Sequence, residues 1–194
     1  MAFAKTCPGG TELEISMLFV DVRGSTRLAE QMTATEFSRL MKRFYEAATD
    51  VLIATESVID KLVGDEVIGF YLPIFTGPNH ARPAVLAAQR LLEITAEVEE
   101  GGPRLQLGVG VHTGNVYVGT VSGADGTVSD ITALGDNVNV TARLASMAGP
   151  GEALITEVAC AASGVDLGDL ERRRLELKGR SEPVTVRVAR VAAG

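Results

Sequence analysis

One glycine turn sets the strand order of this chain: Lys61-Leu62-Val63-Gly64-Asp65-Glu66-Val67-Ile68-Gly69-Phe70. Strand-forming residues stand on both sides of Gly64-Asp65, so the stretch predicts a β-hairpin with strands at residues 58–62 and 67–72. A hairpin at this place interrupts the regular strand–helix alternation of a long parallel sheet. We therefore predict an α+β fold of the ferredoxin-like, split-βαβ type, with a palm-like sheet, helices on one face and a C-terminal extension.

The segments around this hairpin follow the order strand, helix, strand, strand, helix, strand. Thr33 and Glu36 have the spacing of a capping box, and apolar residues behind them repeat at helical spacing. Ser25 or Thr26 is the predicted N-cap of a helix after the first strand. The remaining predicted elements are strands at residues 15–22, 105–111, 116–121, 153–156, 175–177 and 184–191, helices after Asn79 and Gly135, and a protruding hairpin at 122–130.

The composition is that of an ordinary globular protein, with 194 residues, 46% of them hydrophobic and 22% charged. We predict one domain at residues 14–191 behind a tail at residues 1–13. The formal net charge of −7 argues against a general nucleic-acid-binding protein, which would carry a basic surface. The apolar run Met17–Val20 is too short to cross a membrane, and no basic flank with a cleavage pattern marks a signal peptide. We therefore expect a cytoplasmic protein with no membrane segment.

Two aspartates end short hydrophobic strands and lie beside glycine turns. Asp21 follows the run Met17–Val20, and Asp65 lies in the turn of the hairpin. A carboxylate in an apolar strand lowers stability unless a charge partner compensates it, and Mg²⁺ prefers a few carboxylates together with substrate phosphates. The pair therefore predicts a phosphoryl-transfer site that holds metal ions. For either residue alone, the ordinary interpretation is a cap on the turn or helix that follows.

Four other polar residues could bind the rest of a nucleotide. Asn139 and Arg143 are four residues apart on a predicted helix and so share one face, where an amide and a guanidinium suit a ribose and a phosphate. Lys61 can only donate hydrogen bonds, so it suits N1 of adenine and disfavours the protonated N1 of guanine. The Thr132 hydroxyl could accept from the exocyclic amine of adenine. The alternatives are a solvated arginine, a helix-start asparagine and an ordinary strand threonine.

Taken in order, five stretches resemble the catalytic domain of class III adenylate and guanylate cyclases, over residues 14–191. They are Phe19-Val20-Asp21-Val22-Arg23-Gly24-Ser25-Thr26, Lys61-Leu62-Val63-Gly64-Asp65, Gly110-Val111-His112-Thr113-Gly114, Leu134-Gly135-Asp136-Asn137-Val138-Asn139-Val140-Thr141-Ala142-Arg143-Leu144 and Lys178-Gly179-Arg180. One such stretch is weak evidence, whereas five in the right order are specific. The resemblance implies cyclisation of a nucleoside triphosphate by two-metal-ion catalysis.

The resemblance assigns a role to each matched position. Asp21 and Asp65 would bind two Mg²⁺ or Mn²⁺ ions, with help from the carbonyl group of Val22. The residues that would bind the phosphates are Arg23, Gly24, Ser25 and Thr26, through their backbone, and Lys178 or Arg180. Those that would bind the nucleoside and act on it are Lys61 and Thr132 at the base, Asn139 at the ribose and Arg143 at the transition state. His112 is interpreted as structural, because metal-assisted deprotonation leaves little for a general base to do.

The base-selecting positions favour ATP as the substrate and 3′,5′-cyclic AMP as the product. Many adenylate cyclases of this family have an aspartate where this chain has Thr132, and a threonine resembles the subgroup that includes bicarbonate-responsive enzymes. Guanylate cyclases typically carry an acidic residue in place of Lys61. The resemblance also implies a head-to-tail homodimer, in which one subunit supplies the metal ligands of each site and the other supplies Lys61, Thr132, Asn139 and Arg143.

Three other functions remain open at this point. The first is a guanylate cyclase, and the second is a catalytically idle nucleotide-binding module of the same fold. The third is a different palm-type enzyme, such as a polymerase or a diguanylate cyclase. The third does not readily explain Asn139 and Arg143 on one helix together with Lys61, and a polymerase would need a basic surface for its template.

Overall fold

The fold is seen in a computed structural model that describes residues 10–97, 105–122 and 129–190. Its strands are β1 (Thr11–Val22), β2 (Val58–Val63), β3 (Glu66–Tyr71), β4 (Leu107–Ser122), β5 (Ser129–Leu134), β6 (Glu152–Thr156), β7 (Glu171–Leu175) and β8 (Val184–Arg190). Its helices are α1 (Ser25–Gln31), α2 (Ala34–Ala54), α3 (Pro73–Thr76), α4 (Ala81–Glu97), α5 (Asp136–Met147) and α6 (Glu157–Ser163).

All eight strands belong to one sheet, in the order β2-β3-β1-β4-β6-β8-β7, with β5 beside β4. The hairpin of β2 and β3 stands at one edge, and β1 lies antiparallel between β3 and β4. The N-terminal half of β4 pairs in parallel with β6, and its C-terminal half pairs with β5. This topology confirms the predicted α+β, ferredoxin-like fold with a C-terminal extension.

Helices pack against both faces of the sheet, because side chains of a strand alternate between faces. Leu18 of β1 belongs to a core that includes Leu52 of α2 and Leu91 of α4. Phe19 points to the opposite face and belongs to a second core with Ala145 of α5. The prediction of helices on one face thus holds for α2 and α4, whereas α5 covers the other face.

Glycine in β4 explains how α5 can lie so close to the sheet. A Cβ atom on Gly110 would stand 2.5 Å from the backbone nitrogen of Ala145 and 2.6 Å from the carbonyl oxygen of Thr141. Since real Cβ atoms do not approach backbone so closely, any other residue here would push the helix away. The helix that carries Asn139 and Arg143 is therefore seated directly on the strand beside β1.

The structure corrects several local predictions. Strand β1 begins at Thr11 rather than at Ile15, so residues 11–13 belong to the sheet. Strand β4 is continuous through His112-Thr113-Gly114, where a break was predicted, because its pairing with β1 continues across these residues. Helix α6 was not predicted. The predicted tip of the hairpin at 122–130 lies largely outside the described residues.

The capping box of α2 is confirmed, since Thr33 Oγ1 accepts from the amide of Glu36 at 3.3 Å and Glu36 Oε2 accepts from the amide of Thr33 at 2.8 Å. The cap predicted for α1 is wrong. Gly24 is the N-cap there, in a left-handed conformation (φ 71°) that glycine adopts readily, and the hydroxyl of Ser25 donates to Asp65 instead.

Candidate active site

The ends of β1 and β3 bring Asp21 and Asp65 together. Asp21 is paired with Glu66 across the two strands, and the amide of Val22 donates to the carbonyl oxygen of Asp65 at 3.0 Å. The side-chain carboxyl groups of Asp21 and Asp65 are close enough to interact, since Asp65 is among the causes that raise the pKa of Asp21. The geometric condition for a shared metal site is therefore present, while metal binding itself stays a prediction.

Burial and like charge both act on this carboxylate cluster, defined as Asp21, Asp65 and Glu66. Burial is the largest cause that raises the pKa of Asp21; Arg23 opposes it and Asp65 adds to it. Burial likewise raises the pKa of Glu66, with Asp21 and Asp65 as further causes. No role is predicted for Glu66 from sequence, although its position directly after Asp65 in a hairpin could have indicated that it faces Asp21.

Two side chains from the next segment contact the cluster. The guanidinium group of Arg23 forms an ion pair with Asp21, and the Ser25 hydroxyl donates to Asp65. Gly24 stands between them with open space around its Cα, since an added Cβ would meet no atom within 4 Å. Phosphate binding by residues 23–26 was predicted through the backbone, and it remains a prediction. The side-chain contacts of Arg23 and Ser25 were not predicted.

Helix α5 holds Asn139 and Arg143 on one face, as their spacing requires. Asn139 is exposed and Arg143 is half-buried. The Arg143 guanidinium lies close to the loop between β7 and β8, because a Cβ on Gly179 would be 3.8 Å from its Nη2. The neighbouring residue Arg180 forms an ion pair with Asp136 at 3.0 Å, which connects this loop to the start of α5. Lys178, on the same loop, is exposed.

A buried polar network holds the start of α5 in place. His112 is 8% exposed; its Nε2 lies 2.9 Å from Asn137 Oδ1 and its Nδ1 lies 3.0 Å from Thr156 Oγ1. Asn137 Nδ2 donates to the carbonyl oxygen of Asn115 at 2.8 Å, so its Oδ1 must accept from Nε2–H of the histidine. Burial lowers the pKa of His112, which favours the neutral ring, and in the tautomer with Nε2–H the Thr156 hydroxyl donates to Nδ1. These contacts fit the predicted structural role of His112.

The two predicted base-selecting residues lie on different strands. Lys61 on β2 is opposite Ile68 of β3, and its ammonium group is 3.7 Å from Asp60 Oδ2. Ile68 is in turn opposite Phe19, which places Lys61 on the face that α5 covers. Thr132 on β5 is opposite Gly119 of β4. Because β2 and β5 are not neighbours in the sheet, backbone pairing does not bring Lys61 and Thr132 together. A base pocket formed by both residues stays a prediction.

A sequence model described as "Adenylate and Guanylate cyclase catalytic domain" matches residues 10–189. Among curated proteins, an uncharacterized protein of Mycobacterium tuberculosis is 32% identical over 143 residues, which cover 72% of this chain and 24% of that protein. A second uncharacterized protein of the same organism is 29% identical over 188 residues, which cover 91% of this chain and 32% of that protein. The chain thus spans about a quarter to a third of the length of these relatives.

Solved structures of the same fold include enzymes with either nucleotide specificity. The guanylyl cyclase Cya2 superposes with a TM-score of 0.87 at 24% identity, covering 93% of each chain. The adenylyl cyclase CyaB from P. aeruginosa superposes with a TM-score of 0.81 at 27% identity, covering 95% of this chain and 99% of that one.

Among the described residues, no helix is long and apolar enough to span a membrane.

Proposed function

This chain belongs to the adenylate and guanylate cyclase catalytic domain family, and we propose that it converts ATP to 3′,5′-cyclic AMP and pyrophosphate at two composite sites of a head-to-tail homodimer. The observation that carries the proposal is the approach of the Asp21 and Asp65 carboxyl groups at the ends of β1 and β3. Lys61, Thr132, Asn139 and Arg143 would complete each site from the other subunit.

The carboxylate cluster suits a hard divalent cation. Its members are oxygen donors, partly buried, and their mutual repulsion would be relieved by positive charge. Among the described residues, no group of three or more acidic, histidine or cysteine side chains is arranged to enclose a metal. A site of two carboxylates completed by substrate phosphates is the arrangement that Mg²⁺ prefers. Asp21 and Asp65 would hold Mg²⁺ or Mn²⁺, which would supply Lewis acidity at the ribose 3′-hydroxyl and charge neutralisation at the triphosphate.

The remaining residues would orient the substrate and stabilise developing charge. Arg143 would brace the α-phosphate oxygens as their charge grows, and Asn139 would fix the ribose so that its 3′-oxygen is in line for attack. Lys178 or Arg180 would contact the terminal phosphates. Lys61 and Thr132 would read the N1 and exocyclic amine of adenine, which makes ATP the proposed substrate and GTP the second candidate.

The direct test is incubation of the purified protein with ATP or GTP and with Mg²⁺ or Mn²⁺, followed by chromatographic separation of cyclic products. Cyclic AMP from ATP is the expected main product. Cyclic GMP as the main product would overturn the roles of Lys61 and Thr132 while leaving the cyclase assignment intact. Absence of both products from a folded dimer, with every metal, would favour the idle nucleotide-binding module.

The composite site is tested by mixing two inactive variants. Asp65→Ala damages the metal side of a site and Arg143→Ala damages the other side, so a mixed dimer has one site with both defects and one intact site. Random assortment should restore about a quarter of the wild-type activity, as expected for a twofold-symmetric dimer. The matched control mixes Asp21→Ala with Asp65→Ala, which damage the same side and should stay inactive. A first mixture that stays as inactive as the control would contradict the shared-site arrangement.

A further inference from the structure

Arg23 links the carboxylate cluster to the far end of helix α5. Its Nη2 forms the ion pair with Asp21, and its Nη1 donates to the carbonyl oxygen of Ser146, in the last turn of α5, at 2.8 Å. Its backbone amide donates to the carbonyl oxygen of Gln106 at 2.7 Å. The side chain is only 19% exposed. The guanidinium group is therefore fixed between an aspartate and a helix end rather than extended into solvent.

The strand next to β1 leaves room for this side chain. Gly108 of β4 is opposite Asp21, and a Cβ atom at Gly108 would lie 2.9 Å from Nε of Arg23. The same Nε is buried and has no hydrogen-bond partner. Because burying a guanidinium N–H without a partner is costly, the position must be held by the two contacts that the terminal nitrogens make.

We propose that Arg23 is a positioning residue whose guanidinium group is the resident counter-ion of Asp21 and is displaced from that carboxylate when a divalent cation binds. The inference rests on the proposed function, because it takes Asp21 and Asp65 to be the metal ligands. It goes beyond it in assigning to the Arg23 side chain a role that is distinct from phosphate binding by its backbone.

Charge and geometry lead to this competition. Asp21 accepts from Arg23 at the carboxylate oxygen Oδ2, and Ser25 similarly uses Oδ2 of Asp65. A divalent ion shared by these carboxylates would repel the adjacent guanidinium and take over its role as compensating charge. Arg23 would keep its bond to Ser146, where a cation is favourable because the carbonyl groups of a helix C-terminus carry partial negative charge.

The test measures binding of Mn²⁺ alone to the nucleotide-free protein by electron paramagnetic resonance. Arg23→Gln removes the competing charge, so Mn²⁺ should bind about fivefold more tightly than to the wild type. Arg23→Lys keeps the charge and should bind Mn²⁺ like the wild type. Arg27→Gln is the matched control, because it removes one positive charge from an exposed position four residues away and should leave Mn²⁺ affinity unchanged.

Each outcome has a distinct meaning. Equal or weaker Mn²⁺ binding by Arg23→Gln overturns the inference, and so does an Arg23→Lys protein that binds as tightly as Arg23→Gln, since lost contact with Ser146 would then be the cause. Asp65→Asn reports separately on the proposed function, because it must abolish Mn²⁺ binding. Mn²⁺ binding by Asp65→Asn with the wild-type affinity would overturn the metal site and, with it, the inference.

A measurement on the wild type covers the case in which Arg23→Gln does not fold. The Nε–H resonance of Arg23 should shift as diamagnetic Mg²⁺ is added, with the same midpoint as Mg²⁺ binding, because the guanidinium loses its carboxylate partner. A resonance that stays unchanged at saturating Mg²⁺ would contradict displacement.

Discussion

Two regions carry the predicted site residues, and their charges are arranged differently. In the carboxylate cluster, Asp21 and Asp65 already have partners within the same chain, in Arg23 and Ser25. On α5, the buried contacts belong to His112 and Asn137 at the helix start, while Asn139 on the outer face is exposed. The charged groups of the first region are thus paired with each other, whereas the second region is anchored at its buried start and exposes Asn139 to solvent. This contrast fits the proposed site that is shared between two chains.

The largest expected effect is at the carboxylate cluster. Asp65→Asn removes one of two charges that would hold the cation, so kcat/KM should fall by at least about a thousandfold. The melting temperature should not fall, because the change also removes like charge beside Asp21 and Glu66. Steady-state kinetics and a thermal melt check both parts. A melting temperature well below that of the wild type would mean that Asp65 is chiefly structural.

A smaller loss is expected from the outward face of α5. Arg143→Ala should lower kcat about a hundredfold, the usual cost of losing one group that stabilises transition-state charge, while Mn²⁺ binding without nucleotide is unchanged. Arg39→Ala, at an exposed position on α2, is the control for loss of charge. If Arg143→Ala also weakened nucleotide-free Mn²⁺ binding, the two regions would not be separate in the way proposed.

The smallest effect on activity is expected from the buried support of α5. His112→Ala leaves Asn137 and Thr156 without their partner, so the free energy of unfolding should fall by about 2–4 kcal/mol. The activity of the folded fraction should fall about tenfold through misplacement of α5. His80→Ala is a matched control: His80 is also buried and bonded, to Ser16 Oγ at 2.9 Å, and this contact does not involve α5. It should lower stability while kcat stays unchanged.

The pH dependence of stability is a second test of the structural role of His112. Burial lowers the pKa of His112 below that of the unfolded chain, so the unfolded state binds the proton first as pH falls. The stabilisation is complete above the unfolded pKa of about 6.5 and is lost as pH falls below it. His112→Gln should therefore show a shallower loss of stability between neutral and mildly acidic pH than the wild type, measured by denaturant unfolding. An unchanged slope would mean that His112 has the same pKa in the folded and the unfolded protein.

Local patterns predicted the parts of the site that depend on neighbours in sequence. The turn at Gly64-Asp65 indicated the hairpin, and the capping box at Thr33 indicated the start of α2, because both are short-range arrangements. The approach of Asp21 to Asp65 also followed, once their strands were taken as neighbours. In the same way, Thr156 could have indicated α6, since its hydroxyl caps that helix by accepting from the amide of Ala159.

Contacts between distant segments could not be predicted in this way. Arg23 reaches a carbonyl oxygen 123 positions further along the chain, and no local pattern indicates that acceptor. Gly114 suggested a break in β4, yet it lies within the strand. Glycine is needed there because a Cβ would stand 2.6 Å from Asn137 Nδ2. Glycine can thus signal close packing between elements as well as a turn, and sequence alone does not distinguish the two.

The hydroxyl of Thr156 has a consequence for how far the domain can be shortened. It caps α6 and also binds His112, so a segment that carries none of the residues predicted to touch substrate still fixes the helix that presents Asn139 and Arg143. Leu154 of β6 and Val186 of β8 complete the core beneath Val140 and Leu144. A fragment ending after α5 would retain nearly all of the predicted site residues. It would lose the contacts of β6, α6 and β8 that hold α5 in place. The smallest fragment that keeps the predicted site residues aligned is therefore expected to extend through β8.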